Sequence, residues 1–195
     1  FDNFLSKTFA QFHLLSSRCF FSTTVIEEKI DMITLDVAGI ASCVGAGSDR
    51  CSLGPLSLKH SKIFHRLIRS HGIQLNWNRI VYPDYRRTHC EMMYQLVQEI
   101  SDWTRRTVAR RKQFVTFGGD HATAMGIWQG AMTALGPDRR LGLIWIDAHL
   151  DLHNFKTSPS GNLHGMPLAA LLGQGDPRLA TIYGPGPHLH SENIA

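Results

Sequence analysis

Two stretches carry the reading of this chain: FVTFGGDH, from Phe114 to His121, and LGLIWIDAHLD, from Leu141 to Asp151. Each opens as an apolar run without alternation and ends abruptly in polar groups. A continuously apolar strand is one covered on both faces, the habit of parallel sheets flanked by helices. In such sheets ligands gather at the carboxyl ends of the strands. The two polar tails, Gly118-Gly119-Asp120-His121 and Asp147-Ala148-His149-Leu150-Asp151, are therefore expected at one rim.

Working outward, the rest of the chain alternates in the same way. Met32 to Ala38 reads as a strand, followed by a Gly/Ser loop ending at Gly54-Pro55. Leu56, Ile63, Phe64, Leu67 and Ile68 share a helical face that Gly72 stops, and Ile73 to Tyr82 reads as a second strand. Met93, Leu96, Val97, Ile100 and Trp103 recur at helical spacing and predict a helix from about His89 to Arg111. Strand Phe114 to Phe117, a helix from about Ala122 to Leu135 and strand Leu141 to Ile146 complete the pattern. The predicted fold is α/β, a three-layer α/β/α sandwich with a mainly parallel sheet. Residues 31–195 are expected to form one α/β domain that lacks its last strands. Residues 1–30 are set apart as a poorly ordered or leader-like segment: between Asn3 and Ile26 there is no acidic residue, but there are Lys7, Arg18 and five Phe.

Composition narrows the function classes. With 195 residues, 43% hydrophobic and 18% charged, a disordered or low-complexity chain is excluded. The net charge of +4 is uneven, since residues 59–112 hold 12 basic and 4 acidic residues. These lie on stretches with helical apolar spacing, where a basic run reads as a solvated face, so no nucleic-acid partner is expected. No apolar run approaches a membrane span. Cys19, Cys43, Cys51 and Cys90 form no C-x-x-C pair and are too sparse for a disulfide framework or a thiolate zinc site, so a reducing, cytoplasmic setting is the expectation. Gly45-Ala46-Gly47-Ser48-Asp49-Arg50 begins like a dinucleotide fingerprint, but Arg50 stands in the third glycine's place.

The D-A-H-x-D run points to metal chemistry. In an extended segment Asp147, His149 and Asp151, at i, i+2 and i+4, project to one side. Carboxylate oxygen with imidazole nitrogen suits Mn²⁺, Fe²⁺, Co²⁺ or Zn²⁺, and a dication removes the repulsion between neighbouring carboxylates.

These two motifs, together with Ser160-Gly161-Asn162-Leu163-His164-Gly165, resemble the arginase family of ureohydrolases. The resemblance runs roughly from Met32 to Ala195 and includes Gly45-Ala46-Gly47, Gly54-Pro55 and Gly184-Pro185-Gly186-Pro187. It implies a dinuclear manganese enzyme that hydrolyses L-arginine to L-ornithine and urea by a metal-bridging hydroxide. By the same resemblance His121 and Asp151 bind one Mn²⁺, His149 binds the other, and Asp147 bridges both. His164 and Asp151 are then the catalytic residues, with His164 serving the departing amine, while Ser160 and Asn162 read the substrate's α-carboxylate. The family also implies a trimer or hexamer at full length.

Two departures qualify this reading. His153 stands where arginases commonly carry an asparagine at the substrate's carboxylate, which leaves agmatine or another guanidino compound as an alternative substrate. The family's S-x-D-x-D-x-x-D-P motif, which supplies two further aspartates, is expected beyond Ala195. With four of six ligand positions, the chain as given is expected to be poorly stable and nearly inactive. A third reading is a non-catalytic binding partner using the basic run Arg105 to Lys112.

Overall fold

A computed structural model describes residues 32–48, 50–180 and 189–195. The leader-like segment and the Gly184 to Pro187 stretch lie outside the described residues. Three parallel strands, β1 (Ile33–Ile40), β2 (Ile73–Val81) and β3 (Phe114–Gly118), form a sheet in the order β2-β1-β3. The central strand is the most deeply buried, its last four residues, Val37 to Ile40, all being buried.

The helices are α1 (Gly54–His60), α2 (Lys62–Ser70), α3 (His89–Ala109), α4 (Ala124–Leu135), α5 (Pro167–Leu171) and α6 (Pro177–Ala180). The single helix expected between Gly54-Pro55 and Gly72 is broken at Ser61. That residue is extended (ψ 106°), and its hydroxyl accepts from the Phe64 amide at 3.2 Å, so it starts a new helix as serine caps do. Helix α3 begins with a reciprocal cap between Thr88 and Glu91, which explains why the apolar periodicity starts there.

The sheet is covered on both faces. On one, Ala38 and Ile40 of β1 join Leu96, Val97 and Ile100 of α3 in the main core, and Trp103 meets Phe114 edge-on. A register shift after Val37 makes Asn78 of β2 the extra residue, and its side-chain oxygen accepts from the Trp103 indole at 3.0 Å. On the other face Trp77 stacks on Phe117 with centroids 5.3 Å apart, and Phe64 of α2 meets Phe117 edge-on. Helices α3 and α4 are in close contact: a Cβ on Gly126 would collide with Ile100, and the Ser101 hydroxyl donates to the Gly126 carbonyl at 2.7 Å.

One predicted strand does not join the sheet. Leu141 to Ile146 makes no ladder with β3; Leu143 forms a lone parallel bridge with Ile194, and Trp145 donates to the Ala195 carbonyl at 2.8 Å. Leu143 is buried in a second cluster with Met132, Leu168, Leu171 and Leu189, whereas Ile144 and Ile146 are 74% and 94% exposed. The segment is thus held by side-chain packing on one of its faces and by backbone bonds to Asn193 and Ala195, and not by the three-stranded sheet. No helix among the described residues is long and apolar enough to cross a membrane.

Candidate metal centre

Beyond β3 the chain enters a short 3-10 turn, His121–Thr123, capped by Asp120. One Asp120 oxygen accepts from the Ala122 amide at 2.9 Å, and the other accepts from the Gly45 amide at 3.0 Å. A single carboxylate therefore ties the loop after β1 to the turn that presents His121. Burial pushes the Asp120 carboxyl above its ordinary range, against the pull of these two amides. Gly45 has no space for a side chain, because a Cβ would run into Asp120 and Ala122. Its carbonyl in turn accepts from the His164 amide at 2.9 Å, so the same loop sets the position of His164.

His121 meets the second motif directly. Its Nδ1 lies 2.9 Å from a carboxylate oxygen of Asp147 and 2.7 Å from Oδ2 of Asp151. One ligand atom from each of these three residues falls within 4.8 Å of the others. Asp151 is buried, and its Oδ2, although close to the imidazole, has no partner aligned as a hydrogen bond. Burial raises the Asp151 carboxyl, and Asp147 raises it further by like-charge repulsion while His121 opposes both. Asp147 is held below its ordinary value, first by the His149 backbone amide. An imidazole and two carboxylates converge, one of them buried with an oxygen lacking an aligned donor. That donor set fits a divalent cation.

The route to this convergence differs from the sequence expectation. Residues 147–151 are not an extended segment with three side chains on one side. Asp151 takes a positive φ of 50°, and its carbonyl accepts from the Leu168 and Ala169 amides at the start of α5. The turn carries the Asp151 carboxylate back to His121. His149 instead folds onto Asp147: its amide and its Nδ1 lie 2.8 and 3.2 Å from Asp147 Oδ1, and its imidazole is exposed. The structure thus gathers His121, Asp147 and Asp151, and leaves His149 beside them through Asp147 rather than in the group.

All the side chains singled out from sequence line one open cleft of about 620 Å³. His153 is anchored there by its amide to the Gly165 carbonyl at 3.1 Å and by Nδ1 to the Thr157 hydroxyl at 3.2 Å. Ser160 and Asn162 lie along the same wall, the Ser160 hydroxyl accepting from the Asn162 amide at 3.3 Å.

Sequence reasoning missed three contributors. Asp120 was part of a motif but had no role; its place just before a turn is a capping signal. Trp145, inside an apolar run, stacks on His121. Cys43 and Cys51 are joined in a disulfide across eight positions, with Cα atoms 5.9 Å apart, a pairing that the sparse cysteines did not lead one to expect. The bond closes the loop that contains Gly45, and only the folding of that loop brings the two residues within bonding reach.

A model of the arginase family matches residues 34–187. The chain is 30% identical over 172 residues to an arginase of Bacillus caldovelox, covering 84% of this chain and 56% of that protein. It is 32% identical over 168 residues to an arginase of Bacillus subtilis, covering 83% and 55%. It therefore spans little more than half the length of these relatives. A crystal structure of arginase from Bacillus subtilis superposes with a TM-score of 0.71 at 27% identity, covering 83% of this chain and 54% of that one. The fold, the ordered motifs and these similarities agree: the chain belongs to the arginase family.

Proposed function

We propose that this site serves manganese-dependent hydrolysis of the guanidinium group of L-arginine, giving L-ornithine and urea. The observation that carries the reading is the convergence of His121, Asp147 and Asp151 on the wall of a cleft that also holds Ser160, Asn162 and His164. His121, Asp147 and Asp151 would hold one Mn²⁺, with His149 beside Asp147 available to a second. When bound, such a metal pair supplies at neutral pH the strong nucleophile from water that a guanidinium carbon, a poor electrophile, requires.

The chain's own groups do the rest. Ser160 and Asn162 present neutral donors to the substrate's α-carboxylate, which orient it without trapping it. His164, fixed by its backbone bond to Gly45, is placed to pass a proton to the departing amine, a task suited to imidazole. Leu150 and Leu152 on the cleft wall provide apolar surface for the aliphatic part of the substrate.

The test is urea release under saturating Mn²⁺, with L-arginine and agmatine compared at equal concentration. Because agmatine lacks the α-carboxylate, L-arginine is expected to turn over at least about tenfold faster. Faster release from agmatine would replace the substrate assignment, and a rate unchanged in Asp151→Asn would remove the metal centre from the reaction.

A further inference from the structure

A second cleft, of about 540 Å³, is lined by Lys59, His60, Lys62, His65, Arg66 and Arg69 and shares no residue with the candidate metal centre. Between Arg50 and Pro83 the sequence contains neither Asp nor Glu. Among the described residues, none of Lys59, Lys62, Arg66 and Arg69 takes part in an ion pair, while Arg79, Arg86, Arg87 and Arg105 all do. The cleft is therefore concave, cationic and uncompensated.

Its shape follows from the break at Ser61. Lys62, Arg66 and Arg69 stand at i, i+4 and i+7 on α2 and form a stripe about 10 Å long. The bend returns Lys59 and His60, the last residues of α1, to the start of that stripe. His65 fixes the bend, since its Nε2 donates to the Lys59 carbonyl at 2.8 Å. Helix α2 carries no acidic residue in its first turn, so its positive end adds to the field rather than being neutralised. Like charges at i, i+4 repel, so a stripe of this kind is at its least favourable when empty.

We infer that this cleft binds a chain of phosphate groups, as in inorganic tripolyphosphate or the triphosphate of a nucleotide. The stripe is longer than one phosphate and presents several cations in a row. Its two guanidinium groups are forks that match phosphate oxygens in pairs, which a compact carboxylate would use less fully. Of the two basic runs in the chain, this one has a concave floor. Arg105 to Lys112 does not line it, and part of that run is engaged by Asp102.

The experiment is calorimetric titration of the intact chain with sodium tripolyphosphate in metal-free, low-salt buffer, repeated with ATP and with citrate. The expected result is saturable binding of tripolyphosphate that weakens with added salt, with citrate binding more weakly. Arg66→Glu/Arg69→Glu is expected to weaken binding at least about tenfold, and Arg110→Glu/Arg111→Glu less than about twofold. If circular dichroism shows that the first variant loses helix, Arg66→Gln/Arg69→Gln replaces it, with the same direction expected. Equal affinity for ATP and tripolyphosphate identifies the phosphate chain alone as the ligand; tighter binding of ATP identifies a nucleotide. Absence of saturable binding, equal loss in the two charge-reversal variants, or citrate binding as tightly as tripolyphosphate would each overturn the inference.

Discussion

Trp145 lies against His121 with ring centroids 4.5 Å apart and planes 24° from parallel. The indole sets the orientation of the imidazole that closes on Asp147 and Asp151. Loss of a group that orients a metal ligand typically weakens metal affinity by roughly 10–100-fold. Trp145→Ala is therefore expected to weaken Mn²⁺ binding about tenfold, and Trp145→Phe much less. Electron paramagnetic resonance of free Mn²⁺ during a titration reads this directly.

Asp151 predicts opposite effects with and without metal. Its buried carboxylate is disfavoured by desolvation and by Asp147, so Asp151→Asn is expected to leave the metal-free chain as stable or more stable. The wild-type chain gains about 2.7 kcal/mol when the cation is present at a hundredfold over its dissociation constant, and the variant is expected to lose that gain. Thermal unfolding with and without MnCl₂ compares the two; an undiminished shift in the variant would exclude Asp151 as a ligand.

Reduction offers a separate handle on the same region. The Cys43–Cys51 bond closes a short loop, and opening it is expected to destabilise the chain by roughly 2–3 kcal/mol. Because Gly45 lies within that loop and bonds both Asp120 and His164, its amide is expected to lose protection from hydrogen exchange before the β1 amides do. Exchange measured with and without dithiothreitol checks the order.

Helices α3 and α4 touch at Gly126. Introducing Val there forces Ile100 or the α3 backbone to move, at a cost of about 1–3 kcal/mol. Urea unfolding measures the loss, which is expected without any change in Mn²⁺ affinity.

Asp84 governs part of the acid limb of stability. Hydrogen bonding to Arg86, in the turn between β2 and α3, holds its carboxyl well below the usual carboxylate range. A depressed acid binds fewer protons in the folded state, so its contribution is present above the ordinary carboxylate range and fades as pH falls toward the depressed value. Asp84→Asn is expected to lower stability at neutral pH by a small amount, because the pair is largely exposed, and to converge with the wild type as pH falls, so that the acid side of its stability profile is flatter.

Much of the scaffold was legible because local signals agreed. The capping box at Thr88 and Glu91 coincides with the start of the apolar periodicity of α3, and β3 ends in the glycines that precede His121. Leu141 to Ile146 was misread because an apolar run describes equally a strand inside a sheet and a segment packed on one face. The exposure of Ile144 and Ile146 is a tertiary outcome that no window of residues contains. Period-two geometry placed the side chains of Asp147, His149 and Asp151 on one side, and that arrangement fails where Asp151 adopts a positive φ, a reversal that Asp tolerates but does not announce. The disulfide depended on the path of a Gly/Ser loop, and the Trp145 stack on a contact between distant segments.

The segment that carries Asp147 and Asp151 shares no backbone ladder with the strand that leads to His121. Strand register comes in steps of one residue, whereas side-chain packing slides in fractions of an ångström. The distance between the two halves of the metal centre is therefore set by packing and by the bonds of this segment to residues 168–169 and 193–195, not by the register of a shared ladder. A cation at the junction would act as a rivet as well as a reagent, choosing one spacing from a narrow range and holding the two layers to it.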